Sequence, residues 1–267
     1  MRLVDSHCHL QADRFSDDVD DVLAAARAAG VERILVPGWN AWSSKAALDL
    51  VDRHPWLDAA VGVHPHDAAK VSDADWRSIA VSARDPRVVA VGETGLDFDR
   101  VFSPIPDQLI NLRRNFALAL ETGKPAILHC RSRVGERDAQ DALLAEVRAL
   151  PGLKLVIHSF SGSVDYAESM LELGAAISIS GLAFRAGEES TAEVARLVPR
   201  DRLLVETDSP YLSPPGAPRG RNAPEWVGLT AAWVAQQRGE DPAAAGDALV
   251  AAYDVAFPRR RESVRPA

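Results

Sequence analysis

The chain has 267 residues, an ordinary apolar content of 47% and a formal net charge of −8 at pH 7. This length and composition are typical of one globular domain with a sizeable core, and α/β barrels commonly have this size. The negative charge argues against a sequence-independent grip on nucleic acid over the whole surface, but it is compatible with a locally positive pocket.

Membrane and export signals are not recognisable in the sequence. No apolar run approaches the roughly 20 residues that a membrane-spanning helix needs. The first predicted strand begins at Leu3, which leaves no space for the basic and apolar regions of a signal peptide. We therefore expect a cytoplasmic protein with no membrane partner, in which Cys8 and Cys130 are reduced thiols.

A strand-then-helix rhythm repeats eight times along the chain. Several strands are apolar throughout, which is typical of parallel strands covered on both faces. The predicted strands are 3–9, 33–38, 57–63, 88–93, 125–130, 153–158, 174–180 and 203–207. The predicted helices are 17–29, 43–53, 73–84, 107–122, 135–149, 163–173, 189–198, 223–237 and 241–255.

The alternation predicts a parallel α/β sheet, and eight units predict its closure into a (β/α)8 TIM barrel. An open doubly wound sheet is the alternative, but no G-x-G-x-x-G follows the first strand. Two long irregular segments, 94–106 and 209–222, follow strands and are expected on the functional face. We predict a single barrel domain over residues 1–267, with a frayed tail after about residue 258.

The segment LVDSHCHL places His7 and His9 towards the end of the first predicted strand. Alternate side chains of a strand share a face, so both imidazoles are expected to point into the barrel while Cys8 points away. Two neutral imidazoles on adjacent pleats can chelate one metal ion. An isolated H-x-H pair is often a coincidence, so this interpretation depends on further ligand-type residues at other strand ends.

Four such side chains follow later strands. They are Glu93 in VVAVGETGLD, His129 in PAILHCR, His158 in LKLVIHSF and Asp208 in LLVETDSPYL. In a closed ring of βα units the loops at the C-terminal ends of the strands meet on one face, so residues far apart in sequence converge there. Four imidazoles and two carboxylates are enough to hold two divalent cations. The pattern predicts a metal-dependent hydrolase.

The two carboxylates have different expected roles in catalysis. A carbamylated lysine that bridges two cations must stand at the C-terminal end of a strand, and no lysine of this chain does, so Glu93 is the expected bridge. Asp208 can bind one cation and accept a proton from water, with Glu206 as a supporting partner. The alternatives are an ion pair for Glu93, a helix cap for Asp208, and buried core histidines for His129 and His158.

Substrate contacts are indicated by residues near the same strand ends. His64 and His66 in GVHPH could be ligands, but the six residues above already fill two sites, so we expect them to contact substrate oxygens; simple loop structure is the alternative. Arg131 is expected to clamp phosphate oxygens; a solvated surface arginine is the alternative. Trp39 and Trp42 could stack bases, or pack as ordinary indoles.

These segments resemble the TatD family of metal-dependent deoxyribonucleases, a branch of the amidohydrolase-type barrels, over almost the whole chain. The resemblance rests on DSHCHL, GVHPH, GETGLD, HCR, HSFSG, and ETDSPYLSP followed by RGRNAP, in the family's order. It implies a TIM barrel with two divalent metals that cleaves DNA phosphodiesters, often from the 3′ end. Ser159 stands where many members carry cysteine, a side chain not expected to bind metal. By position, the implied metal ligands are His7, His9, Glu93, His129, His158 and Asp208, with Asp208 as the base.

We therefore predict a monomeric enzyme that cleaves DNA as a 3′–5′ exonuclease on single-stranded ends. Two divalent cations (magnesium, manganese or zinc) would lower the pKa of a water molecule, which Asp208 helps to deprotonate and which attacks phosphorus in line with the leaving oxygen. Three alternatives stay open. They are an amidohydrolase for a small amide, ester or lactone, a hydrolase for aminoacyl esters on tRNA, and a non-catalytic metal-binding protein.

Overall fold

The computed structural model describes residues 1–259, in which parallel strands alternate with helices. The strands are β1 (Leu3–Asp5), β2 (Val31–Pro37), β3 (Leu57–Val61), β4 (Val88–Asp97), β5 (Ala126–Arg131), β6 (Leu155–Ile157), β7 (Ala176–Ile179) and β8 (Leu203–Val205). The helices are α1 (Val19–Ala28), α2 (Ala41–Arg53), α3 (Asp73–Ser82), α4 (Ile105–Thr122), α5 (Asp138–Arg148), α6 (Val164–Glu172), α7 (Thr191–Leu197), α8 (Val227–Arg238) and α9 (Pro242–Ala256).

The strands form one sheet in which each pairs with the next along the chain, in the order β1 to β8. Backbone hydrogen bonds also join the first strand to the last, from Ser6 N to Val205 O at 3.0 Å and from Asp208 N to His7 O at 2.9 Å. Cys8 and Ser209 form a further parallel bridge. The predicted (β/α)8 TIM barrel is therefore confirmed.

Two apolar layers hold the barrel together because its strands are buried on both faces. The outer layer lies between the sheet and the surrounding helices and contains most of the large buried side chains. The inner layer combines inward-facing strand residues such as Val4, Leu35 and Ile127 with Tyr253 and Phe257 from the C-terminal segment. Helix α9 thus closes the N-terminal end of the barrel, and the C-terminal end is left for polar residues.

Strand β4 is longer than the sequence predicted. The segment 94–106 was expected to be irregular, but Thr94, Gly95, Leu96 and Asp97 continue the pairing with β5. Gly95 misleads a sequence-based assignment because glycine usually marks a turn. Here it serves a close approach, since a Cβ at Gly95 would stand 1.9 Å from the carbonyl oxygen of His129. Glu93 therefore lies inside a strand and not at its end.

Other boundaries also differ, by up to four residues. β1 ends at Asp5, β6 at Ile157 and β8 at Val205, so the histidines predicted at the ends of the first and sixth strands stand just beyond them. Each predicted helix is present, with its ends moved by at most four residues. The tail predicted to fray after about residue 258 is anchored at Arg259, which donates from Nε to Asp58 at 2.8 Å. Residues 260–267 lie outside the described residues.

None of the helices in residues 1–259 has the length and hydropathy needed to cross a bilayer.

At the closed end of the barrel, Asp58 is a buried carboxylate shared by several donors. It accepts hydrogen bonds from Arg33 Nε at 2.8 Å and from the Tyr253 hydroxyl at 2.9 Å, and its side chain is 3% exposed. Replacing it with alanine would leave the largely buried Arg33 guanidinium without this partner. We expect Asp58→Ala to lower the free energy of unfolding by about 3 kcal/mol or more, measured by urea denaturation.

The matched control is Asp254→Ala, because Asp254 pairs with the same guanidinium from the surface, where it is 58% exposed. Exposed ion pairs contribute about 0–1 kcal/mol, so this control should unfold near the wild-type urea concentration. Equal losses of stability in the two variants would contradict the assignment of the buried carboxylate as the main partner.

Candidate metal centre

All six residues predicted as metal ligands meet towards the C-terminal end of the barrel. Within residues 1–259, three groups of side chains bring potential ligand atoms within 4.8 Å of one another. The groups are His7, Glu93 and His158; His7, His9 and Asp208; and His64, Glu93 and His129. They share His7 and Glu93, so they form one continuous cluster.

Glu93 is at the middle of this cluster. Its Oε2 lies 3.3 Å from His7 Nε2 and 3.6 Å from His9 Nε2. Its Oε1 lies 2.9 Å from His158 Nε2 and 3.3 Å from His129 Nδ1. The two oxygens of one carboxylate thus face two different pairs of imidazoles, so each oxygen lies next to its own group of potential metal ligands.

The charge state of Glu93 is set by these neighbours. Burial alone would raise its pKa, but the surrounding imidazoles, His158 foremost, hold the pKa well below its usual range. Burial and the neighbouring His158 lower the pKa of His7. At neutral pH the site therefore presents an ionised carboxylate next to a neutral imidazole, the forms in which both side chains bind metal.

The second carboxylate, Asp208, faces the imidazoles of the first strand. Its Oδ1 lies 3.4 Å from His9 Nε2 and 3.9 Å from His7 Nε2. The two ring nitrogens are themselves 3.2 Å apart, so the alternation predicted for the H-x-H segment is confirmed. Burial would raise the pKa of Asp208, but the hydrogen bond from His9 and the neighbouring imidazoles lower it.

Asp5 fixes the two chain segments that carry these groups. Its Oδ2 accepts a hydrogen bond from the Thr207 hydroxyl at 2.6 Å, and its Oδ1 accepts from the backbone N–H of Thr207 at 3.0 Å and of His7 at 3.2 Å. Burial raises the pKa of Asp5 to about 8, against the effect of the Thr207 hydrogen bonds. Sequence analysis did not single out Asp5, although it lies two residues before His7.

His158 is oriented from behind by Glu206, which is fully buried. His158 Nδ1 lies 3.2 Å from Glu206 Oε1, while Nε2 faces Glu93. Burial would lower the pKa of His158, but the two carboxylates raise it well above its ordinary value. A carboxylate that binds the far nitrogen of an imidazole fixes the ring and leaves the near nitrogen for a ligand.

Asp97 plays the same part for His129 and was missed by sequence analysis. Its Oδ2 lies 3.3 Å from His129 Nε2 and 2.7 Å from His66 Nε2, and Asp97 is 1% exposed. Burial would raise its pKa, but the hydrogen bonds from both histidines lower it. The signal was available in the sequence, because Asp97 stands four residues after Glu93 and shares its face of a strand. It was overlooked because the predicted strand ended at Glu93.

Removing the charge of Asp97 should weaken the centre without touching a ligand. We expect Asp97→Asn to lower metal affinity or cleavage activity by about 10- to 100-fold, because the His129 ring loses its charged partner. Metal content after dialysis and steady-state rates measure the two effects. Asp107→Asn, the same chemical change in the first turn of α4, is the control. Wild-type values in both variants would show that His129 needs no such support.

His64 is closer to the centre than predicted. Its Nε2 lies 3.2 Å from Glu93 Oε1, and burial lowers its pKa to about 4. Its Nδ1 accepts a hydrogen bond from the backbone N–H of His66 at 3.1 Å, so the neutral ring carries its proton on Nε2. His64 therefore presents a hydrogen-bond donor to the site, whereas a metal ligand needs a free lone pair.

Arg131 does not join the histidine cluster. Its Nε donates to Asp99 Oδ2 at 2.9 Å, and its side chain is half-exposed. Arg221, in the long segment after β8, pairs with Asp18 at 2.6 Å and packs over the ring of Phe15. A role for Arg131 in binding phosphate stays a prediction, and it requires exchange of the Asp99 carboxylate for the substrate.

The donor set of the cluster fits divalent cations. Imidazole nitrogens and carboxylate oxygens are the ligands that zinc and manganese take in proteins. The Nε2 atoms of His7 and His9 converge to 3.2 Å of each other beside both carboxylates, so their lone pairs are placed to bind one cation. Cys8 and Cys130 pack in the apolar core, where burial raises the pKa of both thiols, that of Cys130 to about 12.

Comparison with known proteins agrees with this geometry. The sequence model of a family described as TatD related DNase matches residues 4–258. The chain belongs to this family. The resemblance seen in the sequence is thus confirmed, and membership of the TatD-related DNases makes the chain a metal-dependent hydrolase acting on ester bonds.

Several relatives of the TatD-related family align over almost their full length. The chain is 39% identical over 249 residues to the 3′-5′ ssDNA/RNA exonuclease TatD of Klebsiella pneumoniae, covering 90% of this chain and 91% of that protein. It is 33% identical to the uncharacterized metal-dependent hydrolase YabD of Bacillus subtilis, covering 88% and 90%. The crystal structure of YJJV, a TatD homolog from Escherichia coli, superposes with a TM-score of 0.86 at 32% identity and covers 96% and 98%.

Proposed function

We propose that this protein is a metal-dependent 3′–5′ exonuclease that acts on single-stranded DNA ends. The observation that carries the proposal is the position of Glu93, whose two oxygens face two sets of imidazoles at 2.9–3.6 Å. Relatives named as 3′-5′ ssDNA/RNA exonucleases, with similarity over nine-tenths of the chain, support the polarity and the single-stranded substrate.

We propose two divalent cations, magnesium, manganese or zinc, at this centre. His7, His9 and Asp208 would hold one cation, His129 and His158 the other, and Glu93 would contact both. Such cations neutralise charge on phosphoryl oxygens and lower the pKa of water. The proposed ligands are those predicted from the sequence: His7, His9, Glu93, His129, His158 and Asp208.

The side chains have distinct tasks in the proposed reaction. Asp208, with its pKa lowered by its histidine neighbours, is ionised at neutral pH and accepts the proton of the attacking water. His64 directs its Nε2 N–H towards the centre and would donate a hydrogen bond to a phosphate oxygen. His66, held by Asp97, and Arg131, released from Asp99, would contact the strand beyond the scissile bond.

The extent and assembly of the enzyme are part of the same proposal. We propose that the whole chain acts as one barrel domain and as a monomer, since the barrel closes on itself and the proposed ligands all come from one chain. Light scattering of the purified protein tests the monomer. The cytoplasmic location stays a prediction.

The test is cleavage of a single-stranded oligonucleotide labelled at its 5′ end, with manganese or magnesium, beside a sample treated with EDTA. We expect a ladder that shortens by one nucleotide from the 3′ end and disappears with EDTA, because the proposed cations would neutralise charge on the phosphoryl oxygens and lower the pKa of the attacking water. Immediate release of the labelled nucleotide would contradict the polarity. Failure to cleave any strand, with turnover of a small amide, ester or lactone, would favour the amidohydrolase alternative.

A further inference from the structure

Exposed aromatic side chains are concentrated on one face of the barrel. Among residues 1–259, the aromatic side chains in the exposed class are Trp42, Phe102 and Tyr211, at 58%, 65% and 54% exposure. They follow β2, β4 and β8 respectively, so all three lie on the face that carries the candidate metal centre. Large exposed apolar groups collected in one region are typical of binding surfaces.

Two of these rings are connected to the metal centre through direct ring contacts. The indole of Trp42 lies 5.9 Å from that of Trp39, and Trp39 contacts the His9 imidazole edge-on at 5.2 Å. Tyr211 approaches the same imidazole at 6.2 Å. We call Trp39, Trp42 and Tyr211 the aromatic platform. Phe102 lies elsewhere, against His66 at 4.7 Å, and is not part of it.

The backbone below the platform is held in place. Asn40 and Ser43 form a reciprocal cap at the start of α2, with Ser43 N donating to Asn40 Oδ1 at 3.0 Å and Asn40 N donating to Ser43 Oγ at 2.9 Å. The carbonyl of Trp39 accepts a hydrogen bond from His64 N at 2.9 Å, and Tyr211 N donates to Asp208 O at 2.9 Å. The backbone that carries the rings therefore needs little ordering when a ligand binds, which favours affinity.

We propose that the aromatic platform stacks the unpaired bases of the single-stranded substrate next to the scissile phosphate. This inference rests on the proposed function and names how that site selects its substrate. Base stacking is tolerant of sequence because every base has a π-face, and an exonuclease must accept each successive 3′ end. The net charge of −8 provides no general electrostatic attraction for DNA, so affinity has to come from local contacts such as these.

Stacking also accounts for a preference for single strands. In a duplex the bases are paired, and all but the terminal ones are stacked on both faces, so successive bases are not free to stack on Trp42 and Tyr211. An unpaired end presents its bases without the free-energy cost of breaking base pairs and stacks. The platform would thus select unpaired ends by the free π-face of the base, independently of the metal centre that cleaves the backbone.

The test uses Trp42→Ala and Tyr211→Ala, with Trp42→Phe as the conservative variant. Val81→Ala is the control, because Val81 is 70% exposed and lies on α3, away from the strand ends. The ligand is a single strand with 2-aminopurine at its 3′ end and a phosphorothioate at the last linkage, which resists cleavage. Stacking on an aromatic ring quenches 2-aminopurine fluorescence, so one titration reports both affinity and stacking.

We expect each alanine variant to bind the strand about 5- to 150-fold more weakly and to lose quenching, as for removal of one stacking contact. Trp42→Phe should retain most of the quenching, and Val81→Ala should match the wild type. In cleavage assays, the ratio of kcat/KM for a base-bearing strand to that for an abasic strand should fall in Trp42→Ala, through KM more than kcat.

The outcomes separate this inference from the function on which it rests. Wild-type affinity and quenching in both alanine variants would overturn the platform while leaving the exonuclease intact. An equal loss of kcat/KM on base-bearing and abasic strands would also overturn the platform. The rings would then support the structure of the site and would not contact bases. If the wild-type protein neither cleaves nor binds a single strand, both proposals would be overturned.

Discussion

Glu93→Gln is expected to abolish strand cleavage and to release metal. The substitution keeps the shape of the side chain but removes the charge that faces imidazoles on two sides, at 3.3 Å from His7 and 2.9 Å from His158. Charge stabilisation by bound cations is worth several kcal/mol in the transition state. We therefore expect activity to fall on the order of 1,000-fold or more, together with lower metal content by elemental analysis.

Glu136→Gln is the matched control for this prediction. It makes the same chemical change in the exposed loop after β5, on the same end of the barrel, and should leave rate and metal content at wild-type values. Retention of both metal and activity in Glu93→Gln would show that Glu93 forms only an ion pair, the alternative considered from the sequence. The predicted bridge would then be wrong.

Asp208→Asn is expected to separate binding from chemistry. The asparagine side chain is isosteric with the native aspartate, so the backbone hydrogen bond from this position to His7 is preserved, but an amide cannot accept the proton of the attacking water. Loss of a general base typically costs about 100- to 10,000-fold in rate. We expect kcat to fall by this amount, while the Kd for a phosphorothioate strand changes by less than about tenfold.

The measurement is single-turnover cleavage beside fluorescence anisotropy, with Glu136→Gln again as the control. Cleavage by Asp208→Asn within a few-fold of the wild-type rate would show that another group takes the proton. A large loss of strand binding without loss of kcat would instead place Asp208 in substrate recognition. Each result changes the role of Asp208 without changing the identity of the cluster.

Much of the site could be predicted from the sequence because barrel topology is regular. Once eight strand-helix units are recognised, residues after successive strands have to meet, whatever their separation in the chain. His7 lies near the start of the chain and Asp208 in its last quarter, yet each was assigned to the same face. The H-x-H spacing also predicted that His7 and His9 point to the same side of the chain. In the structure both imidazoles lie next to the Glu93 carboxylate.

The residues that sequence analysis missed are those whose role depends on contacts across strands. Asp97 supports His129 and His66 only because β4 continues past Gly95, and a glycine at that position predicts a turn. The role of Asp5 in joining two chain segments could not be predicted, because its partner, Thr207, is remote from it in the sequence. The proton position on His64 follows from a single backbone hydrogen bond, which no residue pattern encodes.

The sequence by itself thus determined the barrel, the converging face and the ligand types, because these follow from periodicity and from strand parity. Only the tertiary structure decided which oxygen of Glu93 faces which imidazole, which carboxylates stand behind His129 and His158, and which aromatic rings are left exposed beside His9. The physical reason is the separation along the chain between the residues that interact. Periodicity is a local property of the chain, whereas hydrogen-bond geometry and burial depend on distances between residues that are remote in sequence.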